Sequence, residues 1–314
     1  MKIQKIIAFL YFLYSYVLIS QTQLINNACT YIPFDVAMQK IYYLPEIGNT
    51  ERIVTIDGIT LYNFFKNLYD LHNPAIIPQK NVPVIPKIIH QIWLGSPVPS
   101  IYQHCMQSWI DHHPDWHYKL WTDENVHEIT LYNKKFYDEA QNYGTKSDIL
   151  RWEILYQYGG LYVDVDYECF RSFDLLHHIY DFYTGIQPLD TQMVQLGAAL
   201  VGSRPGHPIL EHCIMTIKDH WHLKGAPKKT GPVHFTQSFY AQAGKNGSID
   251  IALPPFYVYP LGCREKVQNN SRERWIKQGS FAIHWWSKSW MPKEYRPALF
   301  RTIDNAKSAA TWND

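Results

Sequence analysis

KSDILRWEILYQYGGLYVDVDYECF, Lys146 to Phe170, reads as a helix that stops at Gly159-Gly160 and returns at once as a buried strand. Ser147 is a good N-cap, and Asp148 just after it suits the first turn of a helix. Asp148 and Arg151 are three residues apart and share one helix face. The strand expected over Gly160 to Val165 leads into Asp164-Val165-Asp166, and side chains two apart on an extended strand point to one face. Two carboxylates there form an oxygen cage for a divalent cation, which in turn suits a ligand carrying phosphates. Each feature alone is weak, since Asp–Arg pairs at this spacing are common on helix surfaces and D-x-D triplets are frequent. The tight Gly-Gly return is what carries the Asp148–Arg151 face toward the two aspartates.

Outward from this run the texture is that of an α/β protein. Lys87 to Trp93 and Tyr118 to Trp121 read as short strands, with helices over Ile101 to His112, 134–143 and 147–158. Strands alternating with helices predict a mixed, mostly parallel central sheet with helices on both faces. Ligands collect outside the carboxyl ends of such strands, where Trp93 and the two aspartates would lie. Further on, Gln195 to Gly202 is expected as a strand and Pro208 to His220 as a helix. Pro254 to Pro260 reads as extended, and Ser280 to Trp286 as a late strand or loop. Upstream, Arg52 to Ile56 and Ile59 to Tyr62 look like a weak strand pair across Asp57-Gly58. Residues 21–85 read as a leader or stem, 86–290 as the main domain, and 291–314 as a polar tail.

With 314 residues, 46% hydrophobic and 18% charged, the chain can bury a large core. A formal net charge of +1 gives no reason to expect nucleic acid as a partner. Lys2 and Lys5 precede an apolar stretch, Ile6 to Ile19, so residues 1–20 are expected to be a signal peptide or signal anchor. The chain would then be secreted or membrane-anchored through this one segment, in the Golgi or ER lumen if the source is eukaryotic. Five scattered cysteines without CxxC spacing are not a disulfide scaffold. His113 and His117 lack the accompanying ligands of a zinc site, and Pro114 interrupts a helix between them. An aspartyl-phosphatase reading of Asp164-Val165-Asp166 fails because Glu168 stands where Thr or Val would be needed.

Several ordered blocks, over roughly residues 85 to 290, resemble glycosyltransferase family 32. They are Ile85 to Trp93, Trp109 to Asp123, Lys146 to Phe170, Gly202 to Pro208, Thr230-Gly231-Pro232 and His284 to Trp290. This family of DXD sugar-binding transferases includes fungal mannosyltransferases and inositol-phosphoceramide mannosyltransferase catalytic subunits. The Ser147-Asp148-x-x-Arg151 and D-x-D elements are also similar to those of the large clostridial glucosylating toxins. The resemblance implies a GT-A-like, Rossmann-type domain and a metal-dependent, retaining transfer of a hexose, mannose favoured. The donor would be a GDP- or UDP-hexose and the acceptor a glycan or glycolipid. Alternatives are a toxin-like transferase acting on a host protein and a non-catalytic sugar-binding relative.

On matching positions the resemblance implies that Trp93 stacks on the donor base and that Asp148 and Arg151 hold the donor sugar. Asp164 would contact the ribose or sugar, directly or through metal-bound water, and Asp166 would bind Mn²⁺ or Mg²⁺. His284 is a candidate third metal ligand, and Ser289 with Trp290 would close over the diphosphate. The family often has an Asn before the Gly202 block. Here that stretch is Leu196-Gly-Ala-Ala-Leu-Val201, which removes one expected hydrogen bond to the donor sugar. His207 is expected to be a structural turn residue.

Overall fold

The computed structural model of the chain describes residues 32–39, 57–191, 193–265 and 271–289. Six strands form the central sheet: β1 (Ile88–Ile92), β2 (His117–Trp121), β3 (Gly160–Val163), β5 (Phe182–Ile186), β6 (Leu196–Ser203) and β7 (Asp250–Leu253). Their spatial order is β2-β1-β3-β6-β5-β7. Three of its five pairings are parallel, and β6 runs antiparallel to both neighbours. The expected mixed, mostly parallel sheet is therefore the one that forms. Every residue of β5 and β6 is buried, as happens when a sheet is covered on both faces. A second, two-stranded sheet pairs β4 (Tyr167–Cys169) with β8 (Ala282–His284), antiparallel.

The helix of the opening run, Tyr143–Tyr158, starts earlier than the sequence suggested. Asn142, not Ser147, is its N-cap and accepts the Thr145 N–H at 2.8 Å. Asp148 consequently lies in the second turn. The helix has no polar face of ordinary width: Ile149, Leu150, Trp152, Ile154 and Leu155 are all fully buried. It ends as expected at Gly159, whose N–H donates to Leu155 O and whose φ is +63°. Gly160 follows at φ +100°, and a Cβ there would stand 2.6 Å from Ile88 O, so the return into β3 requires the glycine.

Two sequence expectations are corrected. Ile59 to Tyr62 is not a strand but the start of α1 (Gly58–His72), because the Asp57 carboxylate accepts the Thr60 N–H at 2.9 Å and caps a helix instead of turning a hairpin. Its proposed partner, Arg52 to Ile56, lies outside the described residues, as do residues 1–20 and 291–314. Helix α1 buries Leu61, Phe65 and Tyr69 in the same core as the sheet, and Tyr69 Oη lies 2.8 Å from Tyr257 Oη. The stretch read as a stem thus contributes to the core, through Phe34, Ala37 and Met38 as well as through α1. Pro255–Val258 forms a short helix where an extended segment was expected, with Pro255 in the first turn, where proline costs nothing. Among the described residues no helix is long and apolar enough to cross a membrane.

Three buried histidines tie these layers together, each through both ring nitrogens. In His90, Nε2–H donates to Gly159 O at 3.0 Å and Nδ1 accepts from Trp121 Nε1 at 3.2 Å. His113 donates from Nδ1 to Trp109 O and accepts the Phe173 N–H at Nε2. His177 bridges Ile85 O and the Tyr183 hydroxyl. Burial pushes His90 and His113 down to about 4 and His177 well below its ordinary value. A depressed folded-state pKa gives stability that is present above the unfolded value of about 6.5 and lost as pH falls through the folded one. Between the unfolded and the folded value each histidine should therefore remove up to about 1.4 kcal/mol per pH unit as pH falls. Thermal melts between pH 7 and pH 5 should show a steep fall in Tm, and a flat profile would contradict the assigned neutral tautomers.

Candidate active site

The pocket opens at the carboxyl ends of β1, β3 and β5, with a volume of about 330 Å³. Strand β3 ends at Val163, one residue before the acidic triplet. The Asp164 N–H donates to Ala199 O at 2.9 Å, and the Tyr167 N–H donates back to Asp164 O at 3.1 Å, closing a turn over Val165 and Asp166. The expected i, i+2 alternation of an extended strand does not apply here. Asp164 and Asp166 instead reach different partners from the two sides of that turn.

Asp164 meets the helix. Arg151 Nη1 donates to Asp148 Oδ1 at 2.9 Å and Arg151 Nη2 to Asp164 Oδ1 at 3.2 Å. The Tyr162 hydroxyl accepts from Arg151 Nη2 at 3.2 Å, donates to Asp164 Oδ1 at 2.6 Å, and its ring lies 4.3 Å under the guanidinium carbon. Thr230 Oγ1 donates to the second oxygen of Asp148 at 3.0 Å. Burial raises Asp148 to about 6 despite Arg151 and Thr230. Burial also works against the Arg151 charge, but the oxygens of Tyr162, Asp164 and Asp148 outweigh it and raise its pKa. Arg151 Nε has no hydrogen-bond partner among the described residues.

Asp166 meets the C-terminal strand. The register of β4 on β8 sets Tyr167 opposite His284, which brings His284 Nε2 within 3.1 Å of Asp166 Oδ1 across 118 residues of sequence. Ser287 N–H donates to Asp166 Oδ2 at 2.7 Å. Burial opposes the Asp166 charge, yet His284 and Ser287 lower its pKa to about 2. His284 shows the mirror image: burial lowers it, and the Asp166 carboxylate more than restores it. Flanking that Ser287 contact, Trp286 and Lys288 take left-handed backbone angles, φ +54° and +53°, rare for residues other than glycine. Backbone strain of this kind clusters at active sites, ligand clamps and switch regions.

The metal candidates named from the sequence come together. Ligand atoms of Asp164, Asp166 and His284 all lie within 4.8 Å of one another, and no other such group occurs among the described residues. Two carboxylates suit Mn²⁺ or Mg²⁺, and His284 Nδ1 is buried without a hydrogen-bond partner among the described residues. Trp93 follows β1, lines the pocket and is backed by Tyr102 and Val165. Ser289 lines it too, while Trp290 lies outside the described residues. His207 is structural as expected: Nδ1 caps the helix Pro208–His220 and Nε2–H donates to Asp250 at 3.0 Å.

Sequence reasoning missed Tyr162, Ser287, Lys288 and Gln187, and did not give Thr230 a role. Tyr162 reads as an ordinary core residue, and only its i−2 position to Asp164 hinted otherwise. Lys288 lines the pocket with no hydrogen-bond or ion-pair partner among the described residues. Thr230 stands in a block already set apart by resemblance, which was the available signal.

The buried guanidinium carries a stability prediction. Arg151→Met leaves Asp148 and Asp164 without their cation, and removing one member of a buried ionic group costs about 3–5 kcal/mol. Asp148 has a raised folded-state pKa, so the deficit should grow as pH rises through about 6 and the buried carboxyl loses its proton. Urea unfolding at pH 5.5 and 8 measures both effects; a loss under about 1 kcal/mol at pH 8 contradicts the assignment.

The family model described as the glycosyltransferase sugar-binding region containing DXD motif matches residues 99–183. Inositol phosphoceramide mannosyltransferase 2 of Schizosaccharomyces pombe is 36% identical over 147 residues, covering 44% of this chain and 41% of that protein. Mannosyl phosphorylinositol ceramide synthase SUR1 of Saccharomyces cerevisiae is 31% identical over 199 residues, covering 59% of this chain and 50% of the other. The chain thus spans about half or less of the length of these relatives. Among solved structures, the PaToxG glycosyltransferase is similar at 20% identity and a TM-score of 0.44, over 59% of this chain and 80% of that one. Residues 99–183 hold both the Asp148–Arg151 pair and the Asp164-Val165-Asp166 triplet, so the match to the DXD-containing sugar-binding region falls on the residues that build this pocket.

Proposed function

We propose that the chain is a divalent-metal-dependent glycosyltransferase that moves a hexose, mannose favoured, from a nucleotide sugar to a glycan or glycolipid acceptor with retention of configuration. The observation that carries this is the Asp164, Asp166 and His284 cluster set against the Arg151–Asp148 pair in one pocket. The names of the relatives, which are mannosyltransferases of inositol phosphoceramide, favour mannose and a lipid-linked acceptor.

Asp166 and Asp164, with His284, would hold Mn²⁺ or Mg²⁺. When bound, such an ion neutralises charge on a diphosphate and on the departing nucleotide. The chain's own residues do the rest. Trp93 offers a buried ring at the pocket wall on which a flat base stacks. Arg151, locked by Asp148, Asp164 and Tyr162, keeps those carboxylates charged and aimed, so that their free lone pairs accept sugar hydroxyls. Lys288 and Ser289 present a cation and a hydroxyl from the loop after β8, suited to phosphate oxygens. Each carboxylate among these three has a partner, Asp148 with Thr230 and Arg151, Asp164 with Tyr162 and Asp166 with Ser287, and we assign no covalent nucleophile.

The test is a panel of GDP- and UDP-hexoses with and without Mn²⁺, run on the wild type and Asp166→Ala. GDP-mannose turnover should require the ion, and the variant should lose on the order of 10³-fold in kcat/KM with an unchanged circular dichroism spectrum. Turnover that ignores both the ion and the substitution rules out the metal assignment. Absence of turnover together with absence of nucleotide binding by calorimetry rules out the enzyme.

A further inference from the structure

A cationic and aromatic face lies at the edge of the pocket, outside the residues that build it. Two stretches meet there, 134–146 and 218–229, and together they carry seven lysines against three acidic residues, in a chain whose formal net charge is +1. Phe136, in the helix Lys134–Glu139, packs on Trp221, the C-cap of the helix Pro208–His220, with ring centroids 4.9 Å apart. Lysines stand over the rings of this face. Lys146 Nζ is 4.9 Å from the Tyr137 centroid, Lys229 Nζ 5.2 Å from that of Trp221 and Lys135 Nζ 5.9 Å from that of Phe136. A ring face attracts an ammonium, and a lysine stem covers apolar surface while its head stays in water.

Most of this charge is unanswered. Lys134 meets Asp138 at 2.6 Å and Lys135 meets Glu139 at 3.9 Å. Lys146, Lys218, Lys224, Lys228 and Lys229 have no ion-pair partner among the described residues. The face is nevertheless fixed to the pocket. Ala226 and Pro227 line the cavity just ahead of Lys228, and Ser147 lines it just after Lys146. The Thr230 hydroxyl donates to Asp148 and its carbonyl accepts from Trp152 Nε1 at 2.9 Å, which ties the end of the 218–229 stretch to the helix that carries Arg151. Arg151 and Lys288 line the cavity, whereas none of these five lysines does, so a diphosphate inside it does not account for them.

A small anion engages one or two such lysines, whereas a charged surface engages all of them at once. Half-buried Trp and Phe rings among lysine heads match the head-group layer of a bilayer, where ammonium groups meet phosphates and amphipathic rings rest at the apolar boundary. Leu223, half-buried between His222 and Lys224, adds an apolar side chain in the same stretch. We propose that the face carrying Lys146, Lys224, Lys228 and Lys229 with Phe136 and Trp221 docks on an anionic lipid surface and holds the edge of the pocket at the head-group level. This goes beyond the transferase reading and does not require it.

The experiment measures co-sedimentation of the full chain with phosphatidylcholine vesicles, with and without phosphatidylserine. It compares the wild type, Lys224→Glu with Lys228→Glu, and a charge-matched control, Lys80→Glu with Lys277→Glu. The control lysines are exposed and also lack an ion-pair partner among the described residues. Circular dichroism establishes that all three proteins fold, and any contribution of the apolar stretch Ile6 to Ile19 is common to them and to both lipids. Phosphatidylserine should strengthen wild-type binding by about five-fold per lysine brought to the surface, and high salt should weaken it. The Lys224 and Lys228 variant should lose about 25-fold or more of that gain, and the control less than about three-fold. Wild-type binding that ignores phosphatidylserine, or an equal loss in the control, overturns the docking face. Calorimetry with GDP and Mn²⁺ supplies the second arm: a fall in nucleotide affinity that matches the fall in vesicle binding assigns these lysines to the nucleotide and also overturns it. Absence of GDP binding to the wild type counts against the transferase reading alone, and the vesicle comparison still decides the docking face.

Discussion

A single buried cation, Arg151, sets what this pocket can be. It is 5% exposed, lies between an α-helix and a β-strand, and touches two carboxylates and a phenol. A charge removed so far from water is tolerable only when every neighbour answers it. Asp148, one helical turn away, and Asp164, just past the strand, supply that answer from two elements. The Gly159-Gly160 return is what makes these elements meet, since no other residue takes both backbone angles without a clash. The position of Asp164, and with it one side of the metal cluster, thus follows from the need to neutralise a guanidinium.

The other side depends on pairing between distant strands. β4 is only three residues long and would not persist alone. Pairing with β8 fixes it, and the same register that sets Tyr167 opposite His284 stacks their rings at 5.1 Å. His284 is then aimed at Asp166 by a backbone ladder and an aromatic face. The Ser287 N–H, donated to the same carboxylate, anchors the loop that carries Lys288 and Ser289. A change at Asp166 accordingly reaches three things at once: the cluster, the late strand and the loop. That is why the spectroscopic control belongs beside any activity measurement on it.

Much of the donor side was legible in the chain itself, because it is written in local rules. A helix with an acid and a base at i, i+3, a glycine stop, and a following acidic strand end are features of a few consecutive residues. What stayed hidden depends on tertiary register. The turn at Asp164 to Asp166 arises because β6 takes the Asp164 N–H, a bond no local pattern encodes. Tyr162 looked like one more core aromatic until Arg151 was found above its ring. Asp57-Gly58 has the same composition as a hairpin turn and as a capped helix start, and only the burial of Phe65 and Tyr69 decides between them.

The charge arrangement gives the proposed chemistry its order. Three carboxylates, Asp148, Asp164 and Asp166, line the pocket against two fixed cations, Arg151 and Lys288. Arg151 is already engaged by two of the three, which leaves a net negative field around the cluster. A diphosphate approaching that field alone meets repulsion at Asp166, strengthened by the low dielectric of a buried site. A divalent ion bound at the cluster would reverse the sign of the field, and Lys288, without an ion-pair partner among the described residues, would then add to the attraction. On the proposed reading, nucleotide affinity in this pocket is expected to be conditional on the ion.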